Sequence, residues 1–288
     1  MNFRLDHVPS RSSKPREEGL TMVMDKGLSL RQAENLIEGA GHLTDLVKLG
    51  FGTSFATPNL KEKIALYQRA DIKVYLGGTL FEAFIARGQF DDYRRLLAEL
   101  KCDAVEVSDG SIELNHDVKL KYINTLAKEL IVLSEVGSKE TGILISPAKW
   151  VRMMNSELDA GSWKVIAEAR ESGTVGIYRP SGHAHTTLVN RIMAKVPGQD
   201  IIWEAPIKSQ QTWFIKQVGA NVNLGNVSPD EVIALEALRL GLRGDTFFEY
   251  LPGDMAENLR QIKTEKPDHA AKEKTKEAEK PKAKAKVK

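Results

Sequence analysis

Charged residues of both signs stand at the ends of short apolar runs along this chain, and their types suit a common chemistry. Four glutamates, Glu106, Glu135, Glu168 and Glu204, sit in the runs AVEVSD, LIVLSEVG, KVIAEA and DIIWEA, with Asp25 or Asp109 as a further carboxylate. Converging carboxylates without a His or Cys cluster suit a hard, oxygen-seeking cation such as Mg²⁺. Lys26, Lys48, Lys139, Arg170 and Lys208 lie among them and point to an anionic substrate, a carboxylate or a phosphate. Gly77-Gly78 before Thr79, and Ser209-Gln210-Gln211 entering a helical stretch, present backbone amides at helix N-termini, where anions are favoured. Asn223 and Asn226 come from a further run, ANVNLG and the residues after it. One such charge reads as a solvated loop residue. A ring of them reads as a polar cavity, because isolated buried charges are costly unless they pair or bind a ligand. The plainer alternative is mutual neutralisation in a polar mouth, which costs desolvation without a return.

The elements that must position these residues follow from periodicity. Eight apolar runs recur, at 20–25, 45–50, 72–78, 104–109, 130–137, 164–169, 200–205 and 220–225, each followed by a turn and a segment of helical period. Helix-start chemistry is placed at Thr79 with Glu82, at Ser146-Pro147, and at Ser228-Pro229 with Glu231. Alternating strands and helices predict a parallel sheet, and eight units in one chain predict a closed (β/α)8 TIM barrel, an α/β fold with one domain. Its active site belongs at the C-terminal ends of the strands, where the charges are. The expected organisation is an N-terminal extension over 1–18, the barrel over 19–250, and a disordered Lys/Glu/Ala-rich tail over 251–288.

Composition narrows the function. The chain has 288 residues, 42% hydrophobic and 28% charged, with a formal net charge of +2, which speaks against a dedicated nucleic-acid binder. From Gln261 onward there are ten Lys and five acids, a local net of +5, so the remainder, with 31 basic and 34 acidic residues, is −3. No run is long and apolar enough to span a membrane and no signal-peptide core opens the chain, so a cytoplasmic protein is expected. A single cysteine, Cys102, in an apolar run, reads as a buried inert thiol. Gly50-Phe51-Gly52 lacks the third glycine of a dinucleotide fingerprint, and His183 with His185 has no evident third metal ligand. Motifs of zinc proteases, serine hydrolases and P-loop NTPases are missing.

Taken in order, MDKGL (24–28), VKLGFGTS (47–54), KVYLGGTLFE (73–82), AVEVSDGS (104–111), LSEVGSK (133–139), EARESG (168–173), EAPIKSQQ (204–211), VNLGNV (222–227) and LRLGLRGDTF (238–247) closely resemble the phosphosulfolactate synthase family. The resemblance covers roughly residues 18–248 and implies a (β/α)8 barrel that adds sulfite to phosphoenolpyruvate with Mg²⁺ to give 2-phospho-3-sulfolactate, the opening step of coenzyme M synthesis in methanogens. Bacterial relatives are associated with sulfolactate. By the same resemblance, Lys139 matches the lysine proposed as proton donor. The metal would fall to Glu106, Glu135, Glu168 and Glu204; Arg170, Lys26 and Lys48 would join Lys139 in catalysis. Gly77, Gly78, Thr79, Lys208, Ser209, Gln210 and Asn223 would hold substrate, and a homo-oligomer is expected. Ser138, the loop 174–187 and the basic tail depart from the family pattern. Two rivals are another enolate-handling barrel enzyme and a non-catalytic relative of the plant heat-stress proteins.

Overall fold

A computed structural model describes residues 2–137, 145–170 and 172–264. The eight strands are β1 (Thr21–Asp25), β2 (Leu46–Leu49), β3 (Lys73–Leu76), β4 (Ala104–Val107), β5 (Ile131–Val136), β6 (Lys164–Ala167), β7 (Ile201–Glu204) and β8 (Leu224–Val227). The helices are α1 (Leu30–Ala40), α2 (Thr53–Ala56), α3 (Leu60–Arg69), α4 (Gly78–Ile85), α5 (Phe90–Leu100) and α6 (His116–Leu126). They continue with α7 (Pro147–Asp159), α8 (Thr186–Met193), α9 (Lys208–Val218), α10 (Val232–Arg239) and α11 (Gly253–Thr264).

All ladders are parallel and the strands run β3-β2-β1-β8-β7-β6-β5-β4, so the sheet curls into the expected TIM barrel. At the β3–β4 seam a side chain stands in for the ladder, as the Asp103 carboxylate accepts the Val74 amide at 3.0 Å.

Strand side chains alternate between two cores. Val23, Val47, Val74, Val105, Val132, Val165 and Ile201 face the helices. Met22, Leu46, Tyr75, Ala104, Leu133, Ile166 and Ile202 fill the barrel interior. Two residues further along β2, β4, β5, β6 and β7 the same inward parity reaches Lys48, Glu106, Glu135, Glu168 and Glu204, all nearly or fully buried. An apolar layer thus closes the floor, and the next layer up is charged.

Strand and cap positions differ from expectation in three places. β8 begins at Leu224, because buried Arg239 donates to the carbonyls of Ala220 and Val222, each at 2.6 Å, and takes them out of the ladder. α4 starts from Gly77 rather than from a Thr79 cap, and α10 from Glu231 rather than from Ser228. Ser146 does cap α7, accepting the Lys149 amide at 3.3 Å with Pro147 in the first turn.

The stretch read as an N-terminal extension lies against the barrel's N-terminal end. Arg11 pairs with Glu236 at 2.9 Å and donates to Ala220 and Gly19 carbonyls, while Arg16 pairs with Asp45 at 3.3 Å. At the other terminus, part of the stretch expected as tail forms helix α11. Cys102 is buried, as anticipated, and burial pushes its thiol up to about 12. No helix among the described residues is long and apolar enough to cross a membrane.

Candidate active site

The charged layer opens into a cavity of about 320 Å³ at the C-terminal ends of the strands, lined by Lys48, Glu106, Glu135, Glu168, Arg170 and Glu204 together with Met24, Phe51, Gly78, Thr79, Ala169, Ser172 and Asn226. Lys48 stands at its centre. The ammonium lies 3.0 Å from Glu106, 3.1 Å from Glu204 and 3.6 Å from Glu135. Burial alone would lower its pKa, yet the three carboxylates more than offset that and hold Lys48 well above its ordinary value. Its place among them is that of a cation compensating the surrounding carboxylates.

Among the described residues, four carboxyl groups line the cavity against two cations, Lys48 and Arg170. Glu204 registers the imbalance: burial, then repulsion from Glu135 and Glu106, outweighs attraction to Lys48 and raises it to about 7. Carboxylate oxygens of Glu135, Glu168 and Glu204 lie within 4.8 Å of one another and all three residues are buried. An all-oxygen, net-negative triad of this kind fits a hard divalent cation. Glu106, expected as a fourth ligand, is not part of that group of oxygens; it accepts the Gly78 amide at 2.6 Å and pairs with Lys48.

The Gly77-Gly78 pair serves close approach rather than anion binding. A Cβ on Gly77 would sit 2.6 Å from the Phe51 amide nitrogen, and one on Gly78 would sit 2.3 Å from Ser108 Oγ. Both amides are also taken, Gly77 by the Leu49 carbonyl at 2.9 Å and Gly78 by Glu106. Thr79 remains at the cavity wall. Glu82, read as a capping partner, instead accepts the Ser108 hydroxyl and the amides of Gly110 (3.2 Å) and Ser111 (2.8 Å), pinning the turn after β4.

Other expected site residues lie elsewhere. Asn223 is at the opposite end of the barrel, accepting the Leu20 amide at 3.0 Å and donating to the carbonyls of Gln199 (2.9 Å) and Ile201 (3.0 Å). Gln210 clamps the loop after β6 through the carbonyls of Gly173 (2.8 Å) and Gly182 (3.1 Å). Lys208 pairs with Asp245 at 3.1 Å, and Ser209 is exposed in the first turn of α9. Lys26 lines a neighbouring cavity between the loops after β1 and β2.

Asp25 and Asp109 also point away from the central cavity. Asp25 pairs with buried Lys63 at 2.9 Å and accepts the amides of Gly27 (2.8 Å) and Leu28 (2.7 Å). Asp109 pairs at 2.9 Å with Lys119, which also binds Glu157 at 2.9 Å and the Glu135 carbonyl at 2.5 Å. Lys139 falls outside the described residues, as do Ser138 and Glu171.

The family of (2R)-phospho-3-sulfolactate synthase (ComA) matches residues 9–245, the barrel together with part of the N-terminal stretch that lies against it. The chain belongs to that family. It is 40% identical over 250 residues to the phosphosulfolactate synthase of Bacillus subtilis, covering 86% of this chain and 99% of that one. It is 41% identical over 245 residues to the phosphosulfolactate synthase of Methanothermobacter thermautotrophicus, covering 83% and 95%. A more distant relative, the Arabidopsis thaliana protein HEAT-STRESS-ASSOCIATED 32, is 22% identical over 258 residues, covering 80% of this chain and 88% of that one. Among solved structures, 3-hexulose-6-phosphate synthase from Salmonella typhimurium superposes with a TM-score of 0.52 at 14% identity, covering 78% of this chain and 100% of that one, a likeness of fold alone. Within this phosphosulfolactate synthase family member, cavity residues that sequence reasoning passed over are Met24, Ala169 and Ser172. Met24 and Ala169 carry no chemical signal of their own. Phe51 stood in a glycine-rich segment read as a failed nucleotide fingerprint and as one block of the family resemblance, with no role given to Phe51 itself; its left-handed backbone, φ +40°, marks a constrained turn.

Proposed function

We propose that this chain adds sulfite to phosphoenolpyruvate, giving (2R)-2-phospho-3-sulfolactate, with Mg²⁺ held by Glu135, Glu168 and Glu204. What supports this reading above all is 40% identity along nearly the full length of the Bacillus subtilis phosphosulfolactate synthase, in a chain whose charged layer lines one cavity. In the reaction, the sulfur lone pair of sulfite forms a bond to the methylene carbon C3. The C2–C3 π pair moves onto C2 and the adjoining carboxylate, and C2 then takes a proton. The phosphate ester stays intact. When bound by Glu135, Glu168 and Glu204, a divalent cation would supply an electrophile for the substrate carboxylate on which charge accumulates.

The protein's own groups have distinct tasks. Lys48 keeps Glu106 and Glu204 in place. Arg170, exposed at the rim, presents a planar guanidinium to an incoming anion and reduces repulsion between two anionic substrates. Thr79 and Ser172 offer hydroxyl donors on the wall. Lys139, in the segment that follows β5, is the proposed acid for C2. Incubating the purified protein with phosphoenolpyruvate, sulfite and Mg²⁺ should yield a product heavier than phosphoenolpyruvate by one sulfurous acid, detected by mass spectrometry. Unchanged phosphoenolpyruvate after prolonged incubation would refute the assignment.

A further inference from the structure

Asn226 faces the cavity against the alternation of its strand. Gly225 is paired with Glu204 and already occupies an inward position, since a Cβ there would lie 2.6 Å from Met22 and 3.0 Å from Ile202. The next residue should face the helices, yet Asn226 also lines the cavity. The ladder explains how. β1 advances from Thr21 to Val23 while its partners on β8 advance from Leu224 to Val227, so β8 carries one extra residue. Such a bulge re-aims a side chain, and here it is built through a left-handed residue, Asn226 at φ +55°. Asparagine tolerates that conformation better than most side chains.

The orientation of the carboxamide follows from its neighbour. Its nitrogen lies 3.3 Å from the Ala169 carbonyl, which can only accept, so the NH₂ faces Ala169 and the side-chain oxygen faces away. That oxygen is buried, in a side chain 6% exposed, and accepts no hydrogen bond from the described residues. The same residue, Ala169, donates its amide to Glu204 at 2.8 Å and directly follows Glu168. Asn226 is thereby fastened beside two members of the carboxylate triad. Its free capacity is that of an acceptor, which repels anionic substrates. Lys48 is already shared among three carboxylates, and Arg170 is exposed at the rim.

We infer that the side-chain oxygen of Asn226 is a neutral ligand of the divalent cation, completing with Glu135, Glu168 and Glu204 a four-residue oxygen site. The inference rests on the cation reading above and adds a ligand from β8 to it. A neutral oxygen suffices at that position, since three carboxylates already exceed the charge of one divalent ion.

The test is Mn²⁺ binding to the purified full-length protein, followed by the electron paramagnetic resonance signal of free Mn²⁺, without substrates. Three variants are compared with the wild type: Asn226→Gly, which keeps the left-handed backbone, Asn226→Asp, which keeps an oxygen there, and Glu168→Gln. Asn226→Gly should weaken Mn²⁺ binding about tenfold or more, and Asn226→Asp should restore it. The unfolding temperature of Asn226→Gly in chelator should match the wild type. If Glu168→Gln weakens binding while Asn226→Gly binds like the wild type, Asn226 is no ligand and the cation reading survives. Failure of Asn226→Asp to bind better than Asn226→Gly would overturn the inference too. If the wild-type protein binds no Mn²⁺, the cation reading falls and this inference with it.

Discussion

Replacing Lys48 by methionine removes an ammonium that Glu106, Glu135 and Glu204 share, at 3.0, 3.6 and 3.1 Å. With an effective dielectric constant near 20, each contact is worth roughly 5 kcal/mol of gross attraction, most of it offset by desolvation. Breaking a buried pair by deleting one partner costs about 3–5 kcal/mol net, because the charge left behind is uncompensated. At about 2–4 °C per kcal/mol for a domain of this size, the unfolding temperature should drop by about 6–20 °C at pH 8.5.

The deficit should shrink with acid. Glu204 already sits at about 7 with Lys48 present, above its ordinary 4.5, and losing the cation raises it further. A carboxyl raised in the folded state binds its proton more tightly there. Its stabilising effect is present at low pH and is lost as pH rises through the folded value. Lys48→Met should therefore regain stability relative to the wild type between pH 8.5 and pH 5.5. Thermal unfolding followed by circular dichroism in chelator, at both pH values, measures this. A variant within about 2 °C of the wild type at pH 8.5, or a deficit equal at both pH values, would show that the carboxylates do not depend on Lys48 for charge compensation.

Gly78→Ala places a methyl 2.3 Å from Ser108 Oγ and 2.6 Å from Glu106 Oε1, so Glu106 must move off Lys48; turnover should fall about 100-fold with helix content unchanged by circular dichroism. Lys139→Met should abolish formation of the sulfite adduct, and Lys139→Arg should fail to rescue it because guanidinium is too weak an acid; adduct formation near the wild-type rate in either would move the proton donor elsewhere. Asn223→Ala should lower stability by about 1–3 kcal/mol through three lost hydrogen bonds at the closed end of the barrel, with kcat/KM unchanged. A rise in KM for phosphoenolpyruvate would return Asn223 to the substrate site.

Most of the architecture and the charge of the cavity were written in the order of residues. Eight apolar runs with helical segments between them specify a parallel barrel, because both faces of each strand must be covered and the connections are long enough for helices. The charged strand ends then fall on one rim, so Glu106, Glu135, Glu168, Glu204, Lys48 and Arg170 meet in one cavity, as their types suggested. What only the tertiary structure decided is which charged or polar strand-end residue looks into that cavity. Asp25 turns to Lys63, 38 residues on, and Asp109 to Lys119, because buried ammonium groups on the helices outbid the solvent-facing cavity for them. Asn223 and Asn226 lie three residues apart in one segment, yet Arg239 holds the backbone around the first at the closed end while a bulge swings the second into the open one. A local pattern cannot carry that distinction. The direction of a side chain at a strand end is set by partners supplied from distant helices and neighbouring strands, and those come together only when the barrel closes.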